Sequence, residues 1–178
     1  GKTHIKGYPG PDYDPDLIVW ADWKPITGEN AWVILGALQS AFNQIDRKVP
    51  LQSMDEFKLA ESIIRAMKTL QIEMGAILHA AEGTDGKDPA EISTENNFSV
   101  YAALKMMYQL TQDRQYYEMT KKLENYFVKY SLDKNGKRFY QGGLLKNNLF
   151  TPRQDFAVDC QTWGILVLTP REIDRWFG

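Results

Sequence analysis

The sequence predicts an all-α chain of helical hairpins packed in an inner and an outer layer, an arc of a larger α/α toroid. Three observations carry this reading. Segments that are apolar nearly all round alternate with amphipathic ones, acidic helix starts recur at an almost constant interval, and the connections between helices are rich in turn-forming residues.

The opening Gly1 to Asp16, with Gly7-Tyr8-Pro9-Gly10-Pro11, favours turns over helix and reads as a loop laid over the rest. Leu17 to Trp20 is an apolar run too short for periodicity to separate a strand from a helix end. The first helix starts near Thr27 and runs through Gly28-Glu29-Asn30-Ala31-Trp32 to about Ile45, with so little polar surface after its first turn that burial on several sides is expected. Its partner follows Pro50, where Ser53-Met54-Asp55-Glu56 has the style of a capping box. Leu59, Ile63, Met67 and Leu70 then form an apolar stripe, with Glu61, Arg65 and Lys68 between them.

A loop with Gly83, Gly86 and Pro89 leads to the second pair. Ser93-Thr94-Glu95-Asn96-Asn97 opens a mostly apolar helix, and Gln115 to Tyr130 supplies its amphipathic companion. Asp133-Lys134-Asn135-Gly136-Lys137 is a turn signal, and Arg138-Phe139-Tyr140-Gln141-Gly142-Gly143 after it predicts a small β-hairpin near 133–145. Within it, Gly142-Gly143 reads as a plain turn. Phe156 to Leu168 carries the third apolar helix. Thr169-Pro170-Arg171-Glu172 starts a third outer one, with Thr as cap, Pro at the first helical position and Glu following. His79 reads as a dipole partner at the end of an outer helix, and Cys160 as a small packing residue.

Glu29, Glu95 and Asp159 lie 66 and 64 residues apart, about the length of two helices with two connections. That regularity is the sign of stacked hairpins, at about 27–75, 93–130 and 157–178, forming one partial domain over 1–178. A closed ring of this kind has six hairpins, and the chain supplies fewer than three complete ones. A second chain or the remainder of a longer polypeptide is therefore expected to complete it, because an open arc exposes the apolar flanks of its inner helices.

Composition excludes several function classes. With 21 basic against 23 acidic residues spread along the chain, no basic stripe offers a nucleic-acid footprint. One cysteine, Cys160, and two histidines, His4 and His79, cannot assemble a recognisable metal site, so neither a metal nor a cofactor is expected. No apolar run approaches the ~20 residues of a membrane span, and the segment reads as soluble.

Inner helices of such hairpins run in one direction, so their N-termini gather on one rim. Glu29, Glu95 and Asp159 are the candidate catalytic residues there. Glycosidic hydrolysis needs two carboxylates in different surroundings, one protonated as acid and the other ionised as base or nucleophile. A separation of about 6.5–9.5 Å makes the course inverting, and about 5 Å retaining. Asn30, Asn96, Asn97 and Gln161 suit sugar hydroxyls, while Trp23, Trp32, Tyr101 and Trp163 suit the apolar faces of sugar rings. Each carboxylate taken alone also fits a bland role, since acids favour the first turn of any helix.

The segments Thr27-Gly28-Glu29-Asn30-Ala31-Trp32, Ser93-Thr94-Glu95-Asn96-Asn97-Phe98-Ser99-Val100-Tyr101-Ala102-Ala103 and Val158-Asp159-Cys160-Gln161-Thr162-Trp163-Gly164 resemble inner-helix starts of the six-hairpin glycosidase superfamily. The resemblance implies an (α/α)6 toroid acting on poly- or oligosaccharides, usually bacterial and secreted or periplasmic. Two alternatives stand beside a glycoside hydrolase. A polysaccharide lyase on the same toroid would lean on Asn96, Asn97 and a Tyr101 base, and a non-catalytic helical-repeat module would bind a glycan or a protein.

Overall fold

The structure is a computed structural model and describes residues 26–44, 49–81 and 91–177. The expectations for Gly1 to Trp20, for Trp23, for His4 and for the loop at Gly83 to Pro89 lie outside the described residues.

Among the described residues six α-helices set the architecture. Helices α1 (Thr27–Phe42), α3 (Thr94–Thr111) and α5 (Val158–Val167) form the inner layer, with α3 packed between α1 and α5. Helix α2 (Asp55–Thr69) covers α1, and α4 (Arg114–Tyr126) covers α3. The short α6 (Pro170–Phe177) is tied back to the second hairpin, where the Tyr101 hydroxyl donates to Glu172 Oε1 at 2.7 Å and Arg175 pairs with Glu124 at 3.5 Å. This is the expected alternation of inner and outer helices.

Local chemistry sets the helix ends. The Ser93 hydroxyl accepts the Asn96 N–H at 3.2 Å and caps α3, while Asp113 accepts the Gln115 N–H at 2.9 Å and caps α4. Gln112, at φ 57°, terminates α3 in the left-handed conformation. Thr169 and Glu172 form a reciprocal capping box at α6, Thr169 N–H donating to Glu172 Oε2 at 2.7 Å and Glu172 N–H to Thr169 Oγ1 at 3.3 Å. The start of α2 departs from expectation. Its cap position is Met54 with no side-chain bond, because the Ser53 hydroxyl turns back to the Pro50 carbonyl at 2.7 Å.

Helix α3 is buried on nearly every side, as its sequence predicts. The apolar stripe of α2 is rotated from the predicted one. Phe57, Ala60, Ile64 and Met67 are its buried positions, while Leu59 is exposed, because the line of contact with α1 selects one of two overlapping i, i+3, i+4 rows. Helix α5 is not the enclosed helix its composition predicts. Only Cys160 and Gly164 are buried within it, and Val158, Ile165 and Leu166 face outward.

The β-structure is larger than the predicted hairpin. Strands β2 (Leu132–Asp133) and β3 (Arg138–Phe139) flank the predicted turn, after a π-helical turn at Phe127–Ser131. A second hairpin follows, β4 (Gly142–Lys146) and β5 (Leu149–Pro152), and β4 also pairs antiparallel with β1 (Glu91–Ser93). Asn147 and Asn148, at φ 51° and 62°, make the two-residue turn that matches strand twist. Gly142-Gly143 is therefore strand, not turn. Gly142 sits at φ 150°, where an added Cβ would strike the Ile92 carbonyl of the neighbouring strand. This sheet anchors the start of α3, because β1 runs directly into it.

Candidate functional site at the inner-helix rim

The start of α3 lies at the centre of the inner layer, and Glu95 occupies its first turn. Glu95 is half-buried. Burial raises its carboxyl above the usual range and the charge of Asp159 adds to that, against hydrogen bonds from Ser99 and the Trp163 indole that favour the ionised form. The Ser99 hydroxyl donates to Glu95 Oε1 at 3.2 Å from one helical turn further on. Asp159, on the first turn of α5, is exposed and accepts the Cys160 N–H at 2.7 Å. The charge of Asp159 thus reaches a partly desolvated Glu95 from a position open to water.

An aromatic pair flanks them. Trp32 of α1 and Trp163 of α5 meet with ring centroids 4.9 Å apart and planes tilted 46°. Trp32 is half-exposed. Trp163 therefore joins both features, touching Trp32 with its ring and favouring the ionised form of Glu95 with its indole N–H.

The other predicted residues divide sharply. Glu29 is exposed on the first turn of α1, is absent from the charges acting on Glu95, and makes no hydrogen bond or ion pair among the described residues. Asn30 donates to the Ile26 carbonyl at 2.9 Å and borders a cleft between α1 and α2, away from the Trp pair. Asn96 is buried, and its amide donates to His79 Nδ1 at 2.9 Å beneath Gly28, where an added Cβ would collide with it.

Three residues assigned to sugar contact serve the scaffold instead. Asn97 is fully buried. Its amide donates to the carbonyls of Ile77 at 3.0 Å and Ser93 at 2.7 Å, and its Oδ1 accepts the Ile77 N–H at 2.8 Å, which pins the 71–80 connection to α3. Gln161 clasps the Phe139 backbone through both amide atoms, at 2.9 and 2.8 Å, and so fastens β3 to α5. Tyr101 is buried with its hydroxyl between Glu124, at 3.1 Å, and Glu172, at 2.7 Å. Burial and these two carboxylates hold its phenol far above the ordinary range, so it has neither the access nor the acidity of a lyase base.

Two residues near the rim were not read from the sequence as part of it. Ser99 was discoverable from its i, i+4 spacing to Glu95. His79 is not at a helix end, since α2 stops at Thr69. It lies at a bend in the connection after α2, where its N–H donates to the Glu91 carbonyl at 2.8 Å and its carbonyl accepts the Thr27 N–H at 2.9 Å. Those bonds place it between the starts of α1 and α3. Among the described residues no group of three His, Cys, Asp or Glu side chains is arranged to hold a metal ion, and no helix is long and apolar enough to cross a membrane.

Inner and outer helices in this order have the fold of part of an α/α toroid, shared with two solved mannanase structures. A GH76 α-mannanase of Bacteroides thetaiotaomicron matches with a TM-score of 0.58 at 16% identity, over 77% of this chain and 37% of that one. An α-1,6-mannanase of Salegentibacter sp. matches with a TM-score of 0.62 at 11% identity, over 81% of this chain and 40% of that one. The latter is an inactive variant with asparagine replacing aspartate at two adjacent positions, solved with α-1,6-mannotriose. This chain spans about two-fifths of the length of these enzymes. No protein-family model matches the sequence, and no curated protein is significantly similar to it.

Proposed function

We propose that the rim is the carboxylate site of a glycoside hydrolase acting on a poly- or oligosaccharide, within a single partial domain whose ring is completed by helices beyond these residues. Glu95 is the general acid and Asp159 the base or nucleophile. The carrying observation is the unlike setting of the pair. Burial favours the protonated form of Glu95 while Asp159 stays in water, the division of labour that glycosidic cleavage requires. Trp32 and Trp163 supply the apolar platform for a sugar ring, and the neighbour's α-1,6-mannotriose makes α-1,6-mannan the first substrate to try. A polymeric substrate of this kind fits a secreted or periplasmic protein.

The test is release of reducing sugar from α-1,6-mannan and a panel of other polysaccharides, with Glu95→Gln and Asp159→Asn alongside. Turnover lost by at least 100-fold in both variants, with the fold intact, supports the assignment. Turnover that survives both sinks it.

One observation favours a second reading, a module that binds glycan without cleaving it. It is the half-exposed Trp32–Trp163 pair, a stacking surface that serves binding without cleavage equally well. Quenching of tryptophan fluorescence by α-1,6-mannotriose, abolished in Trp32→Ala, with no turnover of any polysaccharide, would establish that reading.

A further inference from the structure

A second cleft, of about 620 Å³, lies between the connection after α2, the end of α4 with its π-helical turn, and the β4–β5 hairpin. Its wall is aromatic. Tyr130 and Phe150 meet edge to face with ring centroids 6.1 Å apart, and Phe150 is fixed from behind by Tyr126 and by the close approach of Gly143, where an added Cβ would strike its ring. Polar groups converge on the same space. The Tyr130 hydroxyl, the Asn148 amide and the Glu73 carboxylate make no hydrogen bond among the described residues. Asn125 spends its amide N–H on the Met74 carbonyl at 2.9 Å, which leaves its Oδ1 as an acceptor. Asn148 also sits in a costly place. With Lys146 paired to Leu149, it is the second residue of a two-residue turn and stands at φ 62°, where glycine is the favoured residue.

We propose that this cleft is a glycan-binding site separate from the rim, taking a segment of a neutral polysaccharide. The ligand class follows from the lining. A sugar ring presents an apolar face, which suits Tyr130 and Phe150, and a fringe of hydroxyls that both donate and accept, which suits two amides, a phenol and a carboxylate. Glu73 is the one charged side chain lining the cleft among the described residues, so an anionic polymer is repelled. The cleft is joined to the rim through buried contacts. The ring of Tyr126 packs on Phe150, and its hydroxyl lies 3.1 Å from that of Thr94, the residue before Glu95. Cleft and rim therefore rest against the same end of α3, and a polymer held in the one is kept beside the other. The inference goes beyond the hydrolase reading and stands whether or not the rim cleaves glycan.

The experiment is native affinity electrophoresis of the 178-residue chain through gels holding soluble mannan, dextran, xylan or polygalacturonate. At least one neutral polymer is expected to retard the protein. Trp32→Ala, which disables the platform at the rim, keeps part of that retardation, and adding Tyr130→Ala or Asn148→Gly weakens the remainder by about 5-fold or more. Glycine adopts the positive φ of the turn freely, so Asn148→Gly tests the cleft even where Tyr130→Ala disturbs the fold. If Asn148→Gly loses retardation while Trp32→Ala migrates like the parent, the cleft holds glycan and the rim reading fails. Trp32→Ala abolishing all retardation overturns the cleft and leaves the rim reading standing. The proposal is also overturned by retardation in the Trp32→Ala background that ignores both cleft substitutions, by retardation in polygalacturonate alone, or by none in any polymer.

Discussion

Trp163 ties the aromatic platform to the acid, its ring packed on Trp32 with centroids 4.9 Å apart and its indole N–H favouring the ionised form of half-buried Glu95. That influence crosses from α5 to α3, while the ring of the same side chain reaches Trp32 on α1. Three inner helices are thereby linked at one point.

Trp163→Phe keeps a ring and removes the donor. With one hydrogen bond to its ionised form gone, the Glu95 carboxyl titrates at a higher pH than in the parent protein. Carboxyl-selective infrared or NMR titration reads this directly, with Glu95→Gln identifying the signal. An unchanged titration would show that the indole bond has no influence on the acid. Trp32→Ala leaves that bond in place and loses about 1 kcal/mol of aromatic contact.

Asn97→Ala orphans the N–H and carbonyl of Ile77 in the interior, and an unsatisfied buried group costs roughly 1–3 kcal/mol. The expected loss in denaturant unfolding is about 3 kcal/mol. Asn97→Asp does worse, since it sets carboxylate oxygens against the carbonyls of Ile77 and Ser93. A loss below 1 kcal/mol in both variants would return Asn97 to the rim.

Burial opposes the charge of Glu172, yet the Thr169 N–H, the Tyr101 and Thr169 hydroxyls and nearby Lys105 bring its pKa down to about 2 from an ordinary 4.5. The folded state thus holds this proton more weakly than the unfolded chain. Its contribution to stability is complete above pH 4.5 and is lost as pH falls from there towards 2. Unfolding followed across that window should be less steep with pH in Glu172→Gln, which is also less stable at neutral pH because the capping box and the Tyr101 bond lose their charge.

The thiol of Cys160 is buried, and burial, reinforced by the charge of Asp159, pushes it up to about 12. The position at a helix N-terminus does not outweigh that. A disulfide-exchange reagent should therefore label the folded protein at least 100-fold more slowly than the chain in guanidinium, since the thiolate is both rare and enclosed. Equal rates would mean that the rim opens readily.

Much of the fold was legible because its signals are local. The interval between Glu29, Glu95 and Asp159, the Ser93 cap, the Thr169–Glu172 box and the apolar body of α3 each rest on a few neighbouring residues, and the hairpin order follows from them. Misreadings began where two local signals were nearly equal. The α2 stripe admits two adjacent rows, and Gly142-Gly143 suits a turn as well as a strand that must pass close to Ile92. Asn147-Asn148 announced the second hairpin without being read as a turn.

The sequence by itself determined the helical hairpins, their alternation and the placing of one acid in the first turn of each inner helix, because periodicity and capping act over one or two turns. Only the tertiary structure decided which of those acids influence each other. Asp159 and Trp163 act on Glu95 because α5 packs on α3, whereas Glu29 on α1 is exposed and is not among the charges that act on it. Asn97 and Tyr101 were drawn inward for the same reason, since a polar group in a packed interior must find its partners there and cannot also serve a ligand.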